Sequence, residues 1–137
     1  SVLFPVFASP QELSVSEKQQ IEKEVSNIFK TIIDLWYEGK YDSLYEYGHL
    51  SSQASLSKED FIRQMKHKKW GLACCWEKVQ DIMIDVKYPT LVYVRAKIGH
   101  ALKGVVGSST NIKTETYQMI LENGRWRISL LNLLYAP

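Results

Sequence analysis

The sequence predicts an α+β domain: three N-terminal helices packed on a curved, mainly antiparallel sheet of four to six strands. Three observations predict it. Apolar residues recur at helical spacing from Ser14 to about Glu38. After Trp70-Gly71 the apolar period changes from 3.6 to 2. Asn123-Gly124 then marks a tight hairpin late in the chain. Helices gathered ahead of a run of hairpin-linked strands belong on one face of the sheet those strands form.

A chain of 137 residues suits one domain. With 45% apolar and 23% charged residues, it has the composition of a globular protein and not of a disordered one. Its net charge of +2 is too small for a nucleic-acid partner to be expected from the field alone. No apolar run reaches the ~18 residues that a membrane helix needs, so no stable membrane span is expected.

The first helix opens at Ser14, with Glu17 three residues on as in a capping box. Its apolar stripe runs Ile21, Val25, Ile28, Phe29, Ile32, Leu35 and Trp36, and Gly39 stands where helices commonly stop. A second helix spans Tyr41 to Tyr47, with Tyr41, Leu44 and Tyr45 on one face and Gly48 at its end. Residues 49–56 are small and polar and read as a loop, with room for a short strand. The third helix begins at Ser57, with Asp60 placed for a cap interaction. It turns Phe61, Ile62 and Met65 inward and ends in the basic run Lys66-His67-Lys68-Lys69, which complements the helix dipole.

In the second half, Leu72, Cys74 and Trp76 alternate with more polar neighbours, and so do Ile82, Ile84 and Val86. Val79 interrupts that alternation, so a bulge is expected near Lys78–Gln80. After the turn at Tyr88-Pro89-Thr90, a long strand runs from Leu91 to Lys103. One face of it carries Val92, Val94, Ala96, Ile98, His100 and Leu102; the other carries Tyr93, Arg95, Lys97 and Lys103. Gly104 to Asn111 is a loop. Ile112 to Glu122 is the next strand, with Tyr117, Met119 and Leu121 on one face. Arg125 to Leu134 then closes the sheet, with Trp126, Ile128 and Leu130 on one face. Strands this long twist and curl, and a curled sheet closed by a long helix makes a cone whose wide end is a natural ligand site.

The N-terminus leaves two compartments open. Val6-Phe7-Ala8 before Ser9 has the small-x-small pattern of a signal-peptidase site. Residues 1–13 therefore read either as the remnant of a signal for export to the periplasm or cell exterior, or as an arm docked on a cytoplasmic domain covering 14–137. The two cysteines, Cys74 and Cys75, are adjacent. On a strand they would face opposite ways, and a bond between them would need a distorted turn. They are expected to be reduced, small apolar residues. No zinc-ligand spacing is present, so neither metal nor cofactor is expected.

The order of elements resembles the nuclear transport factor 2-like superfamily, a cystatin-like α+β cone, over about residues 14–135. The likeness rests on the long first helix, on Tyr-Glu-Gly-Lys-Tyr-Asp at 37–42, and on Ser57-Lys58-Glu59-Asp60-Phe61. It rests also on the closing hairpin around Glu122-Asn123-Gly124-Arg125-Trp126-Arg127-Ile128. The resemblance implies a shared container used by ketosteroid isomerase and polyketide cyclase enzymes and by many non-catalytic binding domains. It implies dimerisation through the outer sheet face. It transfers no catalytic residue onto this chain.

His100 lies on the apolar face of its strand, where a histidine can act as acid or base near neutral pH. Enzymes on this cone pair a buried carboxylate with Tyr or His. Asp34, beside the apolar stripe of the first helix, is the partner expected for His100. Asp85 is also a candidate, although alternation turns it away from Ile84 and Val86. Trp36, Tyr41, Tyr45, His100, Tyr117 and Trp126 are the candidate ligand-binding residues, because Tyr and Trp join apolar area to a polar handle.

The expected function is that of a non-catalytic module. It binds a small apolar or amphipathic ligand in its cone or acts as an interaction domain, with a homodimer formed through the sheet face. The alternative is a small isomerase, dehydratase or cyclase that uses His100 as acid/base.

Overall fold

The computed structural model describes residues 13–137, so the expected N-terminal arm or signal remnant lies almost wholly outside the described residues. α1 (Val15–Tyr37) begins at Ser14, whose hydroxyl accepts from the Glu17 backbone N–H and donates to the Glu17 carboxylate. It stops where the sequence predicts. Gly39 takes a left-handed conformation, and the Gly39 and Lys40 N–H groups close back on Trp36 and Leu35. α2 (Tyr41–Tyr45) is shorter than expected. The small, polar segment 49–56 is not a loop, because α3 (Leu50–Ser55) forms there. α4 (Lys58–His67) starts at Ser57, which caps the Asp60 N–H.

β1 (Trp70–Leu72) is followed by a 3-10 turn, Cys75–Lys78, so alternation does not continue through Cys74 and Trp76. Trp76 is 70% exposed. The expectation of reduced cysteines is corrected as well: Cys74 and Cys75 are joined by a disulfide. The distorted turn such a bond needs is present, since Cys75 sits at φ +67°, a region that side chains rarely adopt.

β2 (Val79–Tyr88), β3 (Leu91–Leu102), β4 (Asn111–Glu122) and β5 (Arg125–Ile128) complete one strongly curled antiparallel sheet. β3 is its spine. β1 and β2 share one side of it and β4 lies on the other, with β5 beyond. The register of β2 on β3 slips between Gln80 and Met83, which is the bulge the sequence foretold, displaced by a few residues. Asn123 and Gly124 both take positive φ, as a type I′ turn requires. The far edge of β5 is covered, because the backbone of Ile128 bonds to Tyr47 and His49.

Strand does not continue past Ile128. α5 (Leu130–Tyr135) follows and buries Leu130 and Leu133. A leucine-rich stretch such as Leu130-Leu131-Asn132-Leu133-Leu134 is compatible with either period, and packing decides between them.

The fold is therefore α+β: among the described residues, one long helix and four short ones on a half-barrel of five strands. Val25, Phe29, Ile32, Ile33 and Trp36 of α1 meet Val92, Val94, Ala96 and Ile98 of β3 in a single core. Each Val, Ile or Phe side chain among them is worth about 1.5–3 kcal/mol when removed from water. No helix among the described residues is long and apolar enough to cross a membrane.

Candidate functional site

β3 and β4 bring three polar side chains together inside the curl. His100 is fully buried (0% exposed) on the inner face of β3. Its Nε2–H donates to Glu115 Oε1 on β4 at 2.9 Å. The Tyr117 hydroxyl donates to the other carboxylate oxygen at 2.5 Å. The Glu115 side chain keeps only 16% of its surface exposed. The strand register pairs Glu115 with Ala96, four residues from His100 on the same face. The curl of the sheet lets the two side chains meet across the intervening Ile98.

The electrostatics of this network are one-sided. Burial pushes the Glu115 carboxyl up, but hydrogen bonds from His100 and Tyr117, with the influence of His100 and Lys113, outweigh it and hold the group below the usual carboxylate range. The Tyr117 phenol is driven far above its ordinary value, first by burial and then by the charge and hydrogen bond of Glu115. The Trp36 ring stands edge-on to His100 at 6.1 Å. His100 Nδ1 has no hydrogen-bond partner among the described residues.

A groove of about 340 Å³ runs between β4 and the C-terminal segment, lined by Glu115, Thr116, Tyr117, Asn132, Tyr135 and its two successors, Ala136 and Pro137. Its far wall is held by Lys68. The Lys68 ammonium donates to the carbonyls of Leu134 (2.7 Å), Leu133 (3.4 Å) and Ala136. Burial lowers the Lys68 pKa and Lys103 lowers it further, with Glu115 opposing. Lys103 in turn donates to the Met65 carbonyl and lies over the Tyr41 ring, and burial lowers its pKa too.

Of the residues expected at a site, the structure unites Trp36, His100 and Tyr117. Tyr41 is buried under Lys103. Tyr45 packs on Phe61 and donates to the carbonyls of Gln53 and Leu56, so it braces the helices. Trp126 is buried on β5 opposite Leu121. These rings pack in or against the core. Asp34 does not pair with His100. Its carboxylate is 54% exposed and bonds to Lys78 at 2.8 Å. Asp85 is likewise exposed, beside Lys87. The residue that sequence reasoning missed is Glu115. Its signal was the period-2 spacing to Tyr117, which places both on one face.

Two further clefts lie on the outer face of the sheet, about 480 and 620 Å³, and both are lined by Met83 and Arg95. Among the described residues, no group of three or more His, Cys, Asp or Glu side chains is arranged to hold a metal ion. No family model matches the chain, and no curated protein does.

Proposed function

We propose that the protein is a non-catalytic module of the nuclear transport factor 2-like kind. It holds a small amphipathic molecule in the groove beside β4 and pairs with a second copy through the outer sheet face. The observation that carries the reading is the Glu115 network. An acid/base catalyst works best with a pKa near the operating pH. Here the carboxyl is held low and the phenol high, so the two groups are moved away from neutrality in opposite directions. Such a pair holds a geometry around an ionised Glu115 carboxylate, whose two oxygens accept from His100 and Tyr117. Asp34, the partner expected for His100 in the isomerase, dehydratase or cyclase alternative, lies at the surface beside Lys78, and Glu115 takes its place at 2.9 Å.

The groove places that charge next to Tyr135, Ala136 and Pro137. The ligand this suits has a donor head, hydroxyl or ammonium, and a short apolar body. Tryptophan fluorescence during titration with a medium-chain alkylamine, and with the matching alcohol, tests it. Saturable binding of either ligand is expected, weakened about tenfold in Glu115→Gln, roughly 1.4 kcal/mol. No saturable response, or equal affinity in the variant, would overturn the reading.

The dimer rests on the outer face. Asp81, Asp85, Lys87, Arg95 and Lys97 intersperse both signs around the exposed Met83, a self-complementary pattern of the kind two-fold interfaces use. Sedimentation should show a concentration-dependent dimer that Arg95→Glu dissociates.

A further inference from the structure

The turn between β1 and β2 has a chemistry separate from the groove. Cys74 and Cys75 form a disulfide between neighbouring residues, and both are exposed. The bond closes a small ring around one peptide unit, and Cys75 inside that ring sits at φ +67°. A side chain in that region costs energy unless something holds it there, and the ring is the covalent hold. Trp76 comes next and stands 70% exposed. The other end of the turn is anchored. Lys78 bonds to Asp34 at 2.8 Å and lies over the Tyr37 ring, so it ties the turn to the end of α1. Glu77 is seated against the backbone of Gly99. One end of the turn is therefore fixed to the body, while the sulfur-bearing end faces solvent.

We propose that Cys74–Cys75 is a thiol–disulfide exchange site that takes a dithiol as its reductant. A thiolate of the dithiol attacks one exposed Sγ. The Sγ–Sγ bond breaks, a mixed disulfide forms, and the departing thiolate takes up a proton. The second thiol of the reductant then attacks the mixed disulfide, giving up its proton to the cysteine it releases. The dithiol leaves oxidised to a disulfide, and the pair keeps two electrons and two protons as two thiols. Exposure gives the attacking thiolate access. Opening the ring frees Cys75 to return to ordinary backbone angles, and this moves Trp76 while Lys78 and Glu77 stay anchored.

The test uses the whole chain in native buffer. Before reduction, no cysteine is expected to react with iodoacetamide. After dithiothreitol, two carbamidomethyl groups should add per chain, which is both of its cysteines. The far-ultraviolet circular dichroism should be unchanged. Tryptophan emission should shift on reduction and return when diamide re-forms the bond, and Trp76→Phe should abolish the shift. Two free thiols in the unreduced protein that diamide cannot join would overturn the proposal. So would thiols that appear only in denaturant, or an emission shift that persists in Trp76→Phe.

Discussion

The two halves of β3 obey different rules. From Leu91 to Ile98 the strand alternates: Val92, Val94, Ala96 and Ile98 are buried, while Arg95 and Lys97 face solvent. From Ile98 to His100 three consecutive residues are buried. The sheet is the same and the pairing with β4 continues unbroken. What changes is the outer layer. Beyond Ile98 the 3-10 turn lies across the back of the strand, and Glu77 presses on Gly99. Alternation therefore reports which face meets water, and it fails where a second layer covers the outer face.

The largest expected effect lies on the face both halves share. Ile98→Ala should cost about 2–5 kcal/mol by denaturant titration, as for other large-to-small changes at fully buried positions. Gly99→Ala sharpens the contrast. A Cβ at that position would lie 2.2 Å from the Glu77 carbonyl oxygen, so backbone has to move. A loss of about 1–3 kcal/mol is expected from overpacking. A cost no greater than that of an outer-face change in the open half would break the comparison.

Glu115→Gln comes next, at about 1–3 kcal/mol, because one of the two donors it accepts would face an amide N–H₂. This effect depends on pH. The folded-state pKa of Glu115 lies below its ordinary value of 4.5. The carboxylate therefore contributes fully above that value, and the contribution is lost as pH falls through the lower folded pKa. The stability gap between wild type and Glu115→Gln should narrow below about pH 4.5 in acid titrations. The smallest change belongs to the open half. Lys97→Ala removes an exposed pair with Asp81 and should stay within about 0.5 kcal/mol.

Much of the fold was legible because it is local. Ser14, Ser57, Gly39 and Asn123-Gly124 act through backbone groups within a few residues, and each does in the structure what its chemistry predicts. The stripe of α1 and the inner face of β3 from Val92 to His100 were legible for the same reason, whereas Leu102, expected on that face, is exposed. Segments 49–56 and 130–135 were misread, because short polar and short leucine-rich stretches carry no usable period. The site was half legible. His100 and Tyr117 could be placed on the inner face by alternation. Their shared partner could not be chosen, because that choice needs the register of β4 on β3 and the curl of the sheet. The disulfide was excluded by assuming that Cys74-Cys75 lay on a strand, whereas the chain turns there.

The sequence by itself determined where α1 and α4 begin, where the tight hairpin falls, and which face of each long strand is apolar. Those are short-range decisions made by side-chain caps, left-handed turn residues and the two-residue pleat. Only the tertiary structure decided that His100 meets Glu115 and not Asp34, and that Gly99 is sealed from water. It also decided that the last leucines wind into a helix. Each of these depends on which surfaces a curled sheet brings into contact, and the curl is a property of the strands acting together, carried by no single segment.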